Sequence, residues 1–328
     1  KLSFDLDNGE YMVKPSMVNA IRRTIISDIN TYCIDEKNVI FFDNTSMLNN
    51  EFLKLRLSLI PIVSNIENIN YEDIVISCKK KNNNEYIESV YVSDFVCRDN
   101  KTNKVIKNSV FFPYPEILLG KLKNNQFMSF EAKLKFSNAW HSGSAFSTVS
   151  TCSYTFDIDK ESVKEMSKKL SVEEYKTFLT QDVERVYTKN SNGEPSRYKF
   201  TLESIGFYPV QYILKEGISC LIKRLALLRA ELRNSKSSKV TLLENKHNTD
   251  FFIFSIDHED HTVGNLLSTY LTDNKNTDEM CGYVIEHPLN TNIILKIKLS
   301  QSENKLENIL VRIESTIDHI ISILTKIN

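Results

Sequence analysis

The sequence predicts an α+β protein assembled from two copies of one module, with a β-rich insert inside the first copy. Three observations carry this. Leu214, Ile218, Leu221, Leu225, Leu228 and Leu232 step by alternating intervals of four and three, and Leu306, Leu310, Ile313, Ile317, Ile320 and Leu324 repeat those steps, which predicts two long helices with matching apolar seams. The stretch 17–26 is echoed by 263–271: setting Asn19 on Asn265 puts Ile21 on Leu267 and Ile25 on Leu271. Between 64 and 196 the pattern changes to short β segments separated by polar, turn-rich stretches.

Taken in order, residues 4–7 run as a strand into the turn pair Asn8-Gly9, and 11–13 resume it. Pro15-Ser16 opens a helix, where Pro suits the first turn, and Val18, Ile21, Ile25 and Ile29 share one face. A strand is expected at 38–42 and a short helix at 49–58, ended by Pro61. Strands follow at 74–78, 86–92, 130–136 and 149–156, with 79–84 and 99–103 among the separators. Lys79-Lys80-Lys81 reads as a solvated hairpin tip, with a phosphate contact as the alternative. Residues 161–189 look helical, broken near Ser171, and 191–195 form a loop. After a polar linker at 234–239 come strands at 239–243, 251–257, 282–286 and 293–299, with a helix across 263–272. Each long seam can lie on its own sheet, or the two can pack together; these readings are compatible.

With 328 residues and 41% hydrophobic composition, the chain can support two or three domains with real cores. Charged residues at 25% and aromatics at 10% exclude wholesale disorder. Lys+Arg 41 against Asp+Glu 42 gives a net charge of -1, which argues against a protein whose main task is gripping nucleic acid. The longest apolar runs, at 218–228 and 293–299, are interrupted by lysine and arginine, so no membrane span is expected. The first residues show no signal-peptide apolar region. Cys33, Cys78, Cys97, Cys152, Cys220 and Cys281 form no C-x-x-C pair and no disulfide spacing, and read as reduced thiols of an intracellular protein.

The sequence holds no familiar catalytic motif. No glycine-rich phosphate loop, nucleophile elbow or two-metal carboxylate cluster is present. Asp257-His258-Glu259-Asp260-His261 invites a metal reading, and with it a metal-dependent hydrolase. It is not H-E-x-x-H, however, and adjacent residues rarely converge on one ion. The competing reading is a helix start, with Asp260 or Thr262 capping the first N–H groups. A free-standing nucleic-acid-binding protein is the other rival, disfavoured by the charge balance.

Several motifs together carry a resemblance. Val18-Asn19-Ala20-Ile21-Arg22-Arg23, then Asn44-Thr45-Ser46, Glu51-Phe52-Leu53 and Arg56-Leu57-Ser58-Leu59-Ile60-Pro61, resemble the signature of the alpha-like assembly subunits of cellular RNA polymerases. These are the third subunit of polymerase II, its archaeal counterpart and, more distantly, bacterial alpha. Glu131-Ala132, His141, Ser147-Thr148-Val149-Ser150 and 200–206 continue the agreement. The C-terminal third is similar to the smaller partner, the eleventh subunit of polymerase II or its archaeal counterpart, through 259–267, Gly282-Tyr283 and His287-Pro288-Leu289.

The resemblance implies a non-catalytic scaffold with two dimerisation modules, each a small antiparallel sheet plus a long helix, paired in cis. The first module would comprise 1–63 and 197–234, the insert 64–196, and the second module 235–328. No cofactor is implied, and no metal, because the clustered cysteines of some relatives are absent from 64–196. Implied partners are the largest and second-largest polymerase subunits and small accessory subunits, with DNA and RNA reached only through the holoenzyme. No obligate homodimer is implied. Asn19, Arg22, Arg23, Arg56 and Asn265 are the implied interface residues. Leu221, Leu225 and Leu228 are expected to meet Ile313, Ile317 and Ile320 between the modules. Such fusions resemble those of large DNA viruses, and the Asn/Lys/Ile-rich composition fits an AT-rich genome. That source would place the chain in the viral factory of the host cytoplasm and in the virion.

Overall fold

A computed structural model of the chain describes residues 1–7, 13–64, 69–190, 193–234, 239–244, 250–272, 279–300 and 304–327. The first third contains β1 (Leu2–Asp7), α1 (Pro15–Ser27), β2 (Thr31–Asn44), α2 (Asn50–Ser58), β3 (Ile74–Lys81), β4 (Glu88–Tyr91), β5 (Val96–Asp99) and β6 (Val105–Ile106). The middle contains α3 (Asn108–Phe111), β7 (Leu118–Leu122), β8 (Phe127–Ser137), α4 (Ala139–Ser142), β9 (Val149–Phe156), α5 (Lys160–Ser167), α6 (Val172–Gln181) and β10 (Arg197–Ser204). The last part contains α7 (Val210–Leu232), β11 (Val240–Leu243), β12 (Phe252–Asp257), α8 (His261–Leu271), β13 (Met280–Val284), β14 (Asn292–Lys298) and α9 (Leu306–Ile327). The turn at Asn8-Gly9, most of the strand expected at 11–13, the start of the loop at 191–195 and most of the linker at 234–239 lie outside the described residues.

Two compact units emerge. One comprises Ile25–Thr151 and Leu202–Ile213, with Lys1; the other comprises Leu2–Thr24, Cys152–Thr201 and Leu214–Asn328. This partition differs from the three-part division of the sequence because β2 pairs with β8 from Thr31↔Ser137 to Asn44↔Met128. The strand after α1 thereby joins the sheet of the insert.

In the first unit, strands run in the order β2-β8-β3-β5-β6, beside a β4-β7 pair. Alternation along β3 buries Ile74, Ile76 and Cys78 against a core that includes Phe95, Phe130 and Phe112. The lysine triplet is not a hairpin tip. Lys79, Lys80 and Lys81 continue β3 opposite Ser129, Met128 and Phe127. The pleat turns Lys80 away from its neighbours, onto Asp94 at 2.9 Å, Glu88 at 3.4 Å and the Ser89 carbonyl at 2.9 Å. Helix α2 starts where the sequence places it, because the Asn49 side chain accepts the Phe52 N–H.

In the second unit, β11-β12-β14-β13 form an antiparallel sheet, and β1-β10-β9 form a second sheet in which Phe4 stacks on Phe200. The helical stretch after β9 breaks at Ser171, which closes a capping box with Glu174 at the start of α6. The internal echo holds in three dimensions. Helix α1 begins at Pro15 and α8 at His261, an offset equal to that between Asn19 and Asn265. From Ser16 to Ile25, each residue falls in the same burial class as its counterpart from Thr262 to Leu271. Burial pushes the thiols of Cys78, Cys97, Cys152 and Cys281 up to about 12, and that of Cys33 upward as well, so they stay protonated at neutral pH.

Helix α7 buries Ile218, Leu221, Leu225, Leu228 and Leu232, leaving Leu214 half-buried. Helix α9 buries Ile313, Ile317, Ile320 and Leu324 as expected, and also Ile309, Thr316 and Ile323. That face is wider than a coiled-coil seam. Leu306 and Leu310, expected within the seam, instead line an open groove of ≈ 720 Å³ with Leu232, Val240, Leu242, Phe254 and Val311.

One glycine of α8 is required by close packing. A Cβ on Gly264 would sit 2.5 Å from Cδ2 of Tyr283, whereas Gly282 has no neighbour within 4 Å. Gly264→Ala should therefore destabilise by about 1–3 kcal/mol through overpacking, despite roughly 1 kcal/mol of better helix propensity. Urea denaturation checks this, with Gly282→Ala, beside the same tyrosine, expected to be close to neutral.

Candidate functional site

The cluster at 257–261 resolves into the start of α8. Asp260 is the N-cap: its Oδ1 accepts the Thr262 N–H at 3.0 Å and its Oδ2 accepts the Thr262 hydroxyl at 2.9 Å. Neighbouring side chains take other partners. His258 adopts a left-handed backbone conformation with φ 56, and His261 Nδ1 lies 3.2 Å from the Tyr283 hydroxyl. Glu259 is held by two cations, Arg224 and Lys239. Among the described residues, no group of His, Cys, Asp and Glu is placed to hold a metal ion.

The acidic pair at this helix start anchors a charge network. Arg224 on α7 donates through Nε to Glu259 at 2.8 Å and through Nη2 to Asp260 at 2.9 Å. Lys239 reaches the other oxygen of Glu259 at 2.8 Å. Arg23 on α1 donates through Nη2 to Asp260 at 2.8 Å and through Nε to the Thr262 hydroxyl at 2.7 Å. The Glu259 side chain is 0% exposed, and each of its oxygens is paired with a cation. Burial works against ionisation of Asp260. The Arg224 charge, then the hydrogen bonds from Arg23 and Thr262, overcome it and hold the carboxyl below its usual range.

The opposite end of α8 is held by the same segment of chain. Lys14, just before α1 and 4% exposed, donates through Nζ to the Thr269 carbonyl at 3.3 Å and lies 5.2 Å from the centre of the Tyr270 ring. Its backbone N–H donates to the Tyr270 hydroxyl at 3.3 Å. A cation at the carbonyl end of a helix complements the helix dipole, as the N-cap carboxylate does at the other end.

The remaining residues singled out from the sequence fall in several places. Arg23, expected at a subunit interface, directs Nε and Nη2 within the chain, onto α8. Arg22 donates through Nε to Asn19 Oδ1 at 3.0 Å. The side-chain oxygen of Asn265 receives a long 3.5 Å contact from the Thr269 hydroxyl. Arg56 ties α2 to β7 by donating through Nη2 to the Leu118 carbonyl, while its Nε is buried without a hydrogen bond. Leu221, Leu225, Leu228, Ile313, Ile317 and Ile320 are all buried. Alongside them Arg229 meets Asp318 at 2.8 Å, and Arg233 grips Glu314 through two bonds of 2.6 and 2.7 Å.

Sequence reasoning missed Lys14, Arg224 and Lys239, isolated cations with no local motif. It also missed an exposed apolar face in the first unit. Phe52, Leu55 and Leu59 are 47%, 45% and 54% exposed, while Leu53 and Leu57 of α2 point inward. Their spacing of three and four was readable as a second apolar stripe.

Comparison with known proteins gives this geometry a context. The RNA polymerase Rpb3/Rpb11 dimerisation domain matches residues 11–225, and a second model of the same description matches residues 252–325. The chain belongs to the Rpb3/Rpb11 dimerisation family. The first match contains α1 and most of α7, the second α8 and most of α9, so the internal echo is a repeat of one family domain. Among curated relatives, DNA-directed RNA polymerase subunit Rpo3 of Pyrobaculum aerophilum is 27% identical over 272 residues, covering 72% of this chain and 98% of the relative. The Rpo3 of Pyrococcus furiosus is 26% identical over 252 residues, covering 69% and 92%. A shorter match to Rpo3 of Methanosarcina mazei reaches 47% over 55 residues, 17% of this chain and 20% of the relative. The family is structural and non-catalytic.

Proposed function

We propose that the chain is an alpha-like, non-catalytic subunit of a DNA-directed RNA polymerase, in which two dimerisation modules pair in cis to form an assembly platform. The observation that carries this reading is the double anchorage of α8 by Arg23 and Lys14, cations of the first family match, inside one polypeptide. Leu221, Leu225 and Leu228 then meet Ile313, Ile317 and Ile320 across the cis interface. One chain would do the work of two subunits. Its short linker replaces a bimolecular association with one at an effective concentration on the order of mM.

The platform docks the largest and second-largest subunits, with small accessory subunits added around them. The exposed face of Phe52, Leu55 and Leu59 suits the second-largest subunit, with Asn19 and Arg22 on α1 as further interface residues. Arg56 supports that face from within. The near-neutral charge is consistent with contact to nucleic acid only through the holoenzyme. A large DNA virus is the proposed source, with the viral factory and virion as sites of action.

Affinity purification from the native source, with mass spectrometry of stoichiometric partners, tests the reading. Two very large subunits should co-purify without a separate small alpha-like chain; recovery of the chain alone would remove the polymerase assignment. Phe52→Asp combined with Leu55→Asp should abolish co-purification while changing stability by no more than about 0.5 kcal/mol each, because both residues are exposed.

A further inference from the structure

We propose that the charges at the cis interface sort the modules, so that each pairs with the unlike module and is barred from pairing with a copy of itself. The internal repeat supplies the frame. An offset of 246 relates α1 to α8, because Asn19 matches Asn265 and Pro15 matches His261. Under that offset Lys14 matches Asp260 and Arg23 matches Thr269. The two contacts that join the helices, Arg23 with Asp260 and Lys14 with Thr269, therefore exchange into one another. That is the signature of a two-fold interface, in which residue i meets j and j meets i.

The shape of the interface is two-fold, but its charge is not. At the cap position the first module carries Lys14 and the second Asp260. The long helices repeat the asymmetry. Their seams are related by an offset of 92, Leu221 matching Ile313 and Leu225 matching Ile317, which sets Arg224 on Thr316. Arg224 meets Asp260 across the interface, and further along α7 Arg229 and Arg233 meet Asp318 and Glu314 on α9. At every one of these ion pairs the first module supplies the cation and the second the anion.

Self-pairing is penalised on both sides. Two copies of the first module would set Lys14 against both Arg23 and Arg224 at each end. Two copies of the second would set the Asp260 carboxylate against the Thr269 carbonyl, at the negative end of a helix dipole. Unlike pairing satisfies both ends. Repulsion in the wrong complex is how a shared fold acquires partner choice. In a polypeptide holding both modules, this bars like modules of different chains from pairing, and the short linker favours closing the unlike pair within one chain. The proposal rests on cis pairing and not on the polymerase assignment, so purified protein tests it whether or not large subunits co-purify.

A single substitution should make the first module self-complementary. Lys14→Asp places at its cap the residue that the second module has there, so two copies can each offer the new carboxylate to Arg23 and Arg224 of the other. Asp is also a favoured cap residue, which supports folding of α1. Lys14→Met removes the same cation and the same bond to Thr269 without creating a partner for the arginines. Self-association of the full chain, measured by sedimentation velocity across the micromolar range, is the readout. The expected result is a Lys14→Asp dimer at least about tenfold tighter than any formed by Lys14→Met or wild type. Equal association of both variants would assign the effect to exposed apolar surface and overturn the proposal, as would a folded Lys14→Asp that does not associate. Should Lys14→Asp fail to fold, Lys14→Asn carries the test: it removes the same cation as Lys14→Met but adds an amide oxygen that can accept from Arg23 and Arg224, so it should associate more tightly than Lys14→Met, and parity between them overturns the proposal.

Discussion

Leu225→Asp is expected to destabilise the second unit by about 4 kcal/mol or more. Leu225 is 0% exposed. Truncating a buried leucine costs about 2–5 kcal/mol, and a carboxylate left in its place has no partner and must be desolvated or protonated. Leu227, two residues on, is 63% exposed, so Leu227→Asp should change stability by less than about 0.5 kcal/mol. Both variants carry the same charge on the same helix. Equilibrium urea denaturation separates burial from helix propensity and net charge, and a Leu225→Asp variant that melts like wild type would remove the proposed seam. Co-purification should follow the same order, because a chain that cannot close its modules presents no platform.

Arg224→Met is expected to cost about 3–5 kcal/mol, for a different reason. Arg224 bridges both carboxylates, and its side chain is 15% exposed against 0% for Glu259 and 12% for Asp260. Without it Glu259 keeps Lys239 and Asp260 keeps Arg23, so two buried charges lose part of their compensation together. Arg224→Lys restores the charge but not the planar fork, and should recover only part of the loss. The pH dependence follows with a definite sign. The folded-state pKa of Asp260 is depressed, so its stabilisation is complete above the ordinary carboxylate value of about 4 and is lost as pH falls through the lower, folded value. Wild-type stability should thus decline below about pH 4, and Arg224→Met should show a shallower decline, since protonation relieves the Asp260 charge that it leaves underpaired. Thermal melts from about pH 2 to about pH 7, a range set by these values, read both slopes.

Much of the architecture is written locally. The seams of α7 and α9, the start of α1 at Pro15, the Asn49 cap of α2 and the break at Ser171 follow from periodicity and capping chemistry within a few residues of each site. The echo between Asn19 and Asn265 likewise needs only two aligned stretches, and it carries the family relationship through the motifs on either side. The wrong expectations share a cause. Lys80 looked like part of a solvated charge run because Asp94 and Glu88, which it meets, are distant in sequence. Leu306 and Leu310 fitted a heptad, but which turns of α9 find a neighbour depends on where β11 and β12 lie.

The sequence by itself determined what kind of elements the chain forms, that it contains one module twice, and which family that module resembles. All three are readable from the order of apolar and capping residues along a line. Only the tertiary structure decided which charges are partners. Lys14, Arg224 and Lys239 are scattered along the sequence with no local rule to distinguish them from the other lysines and arginines, and the motif that singled out Arg23 did not name its partner. They converge on the two ends of α8 because folding sets the flank of α1 and the middle of α7 beside it. Electrostatic pairing depends on distance in space and on burial, neither of which periodicity specifies.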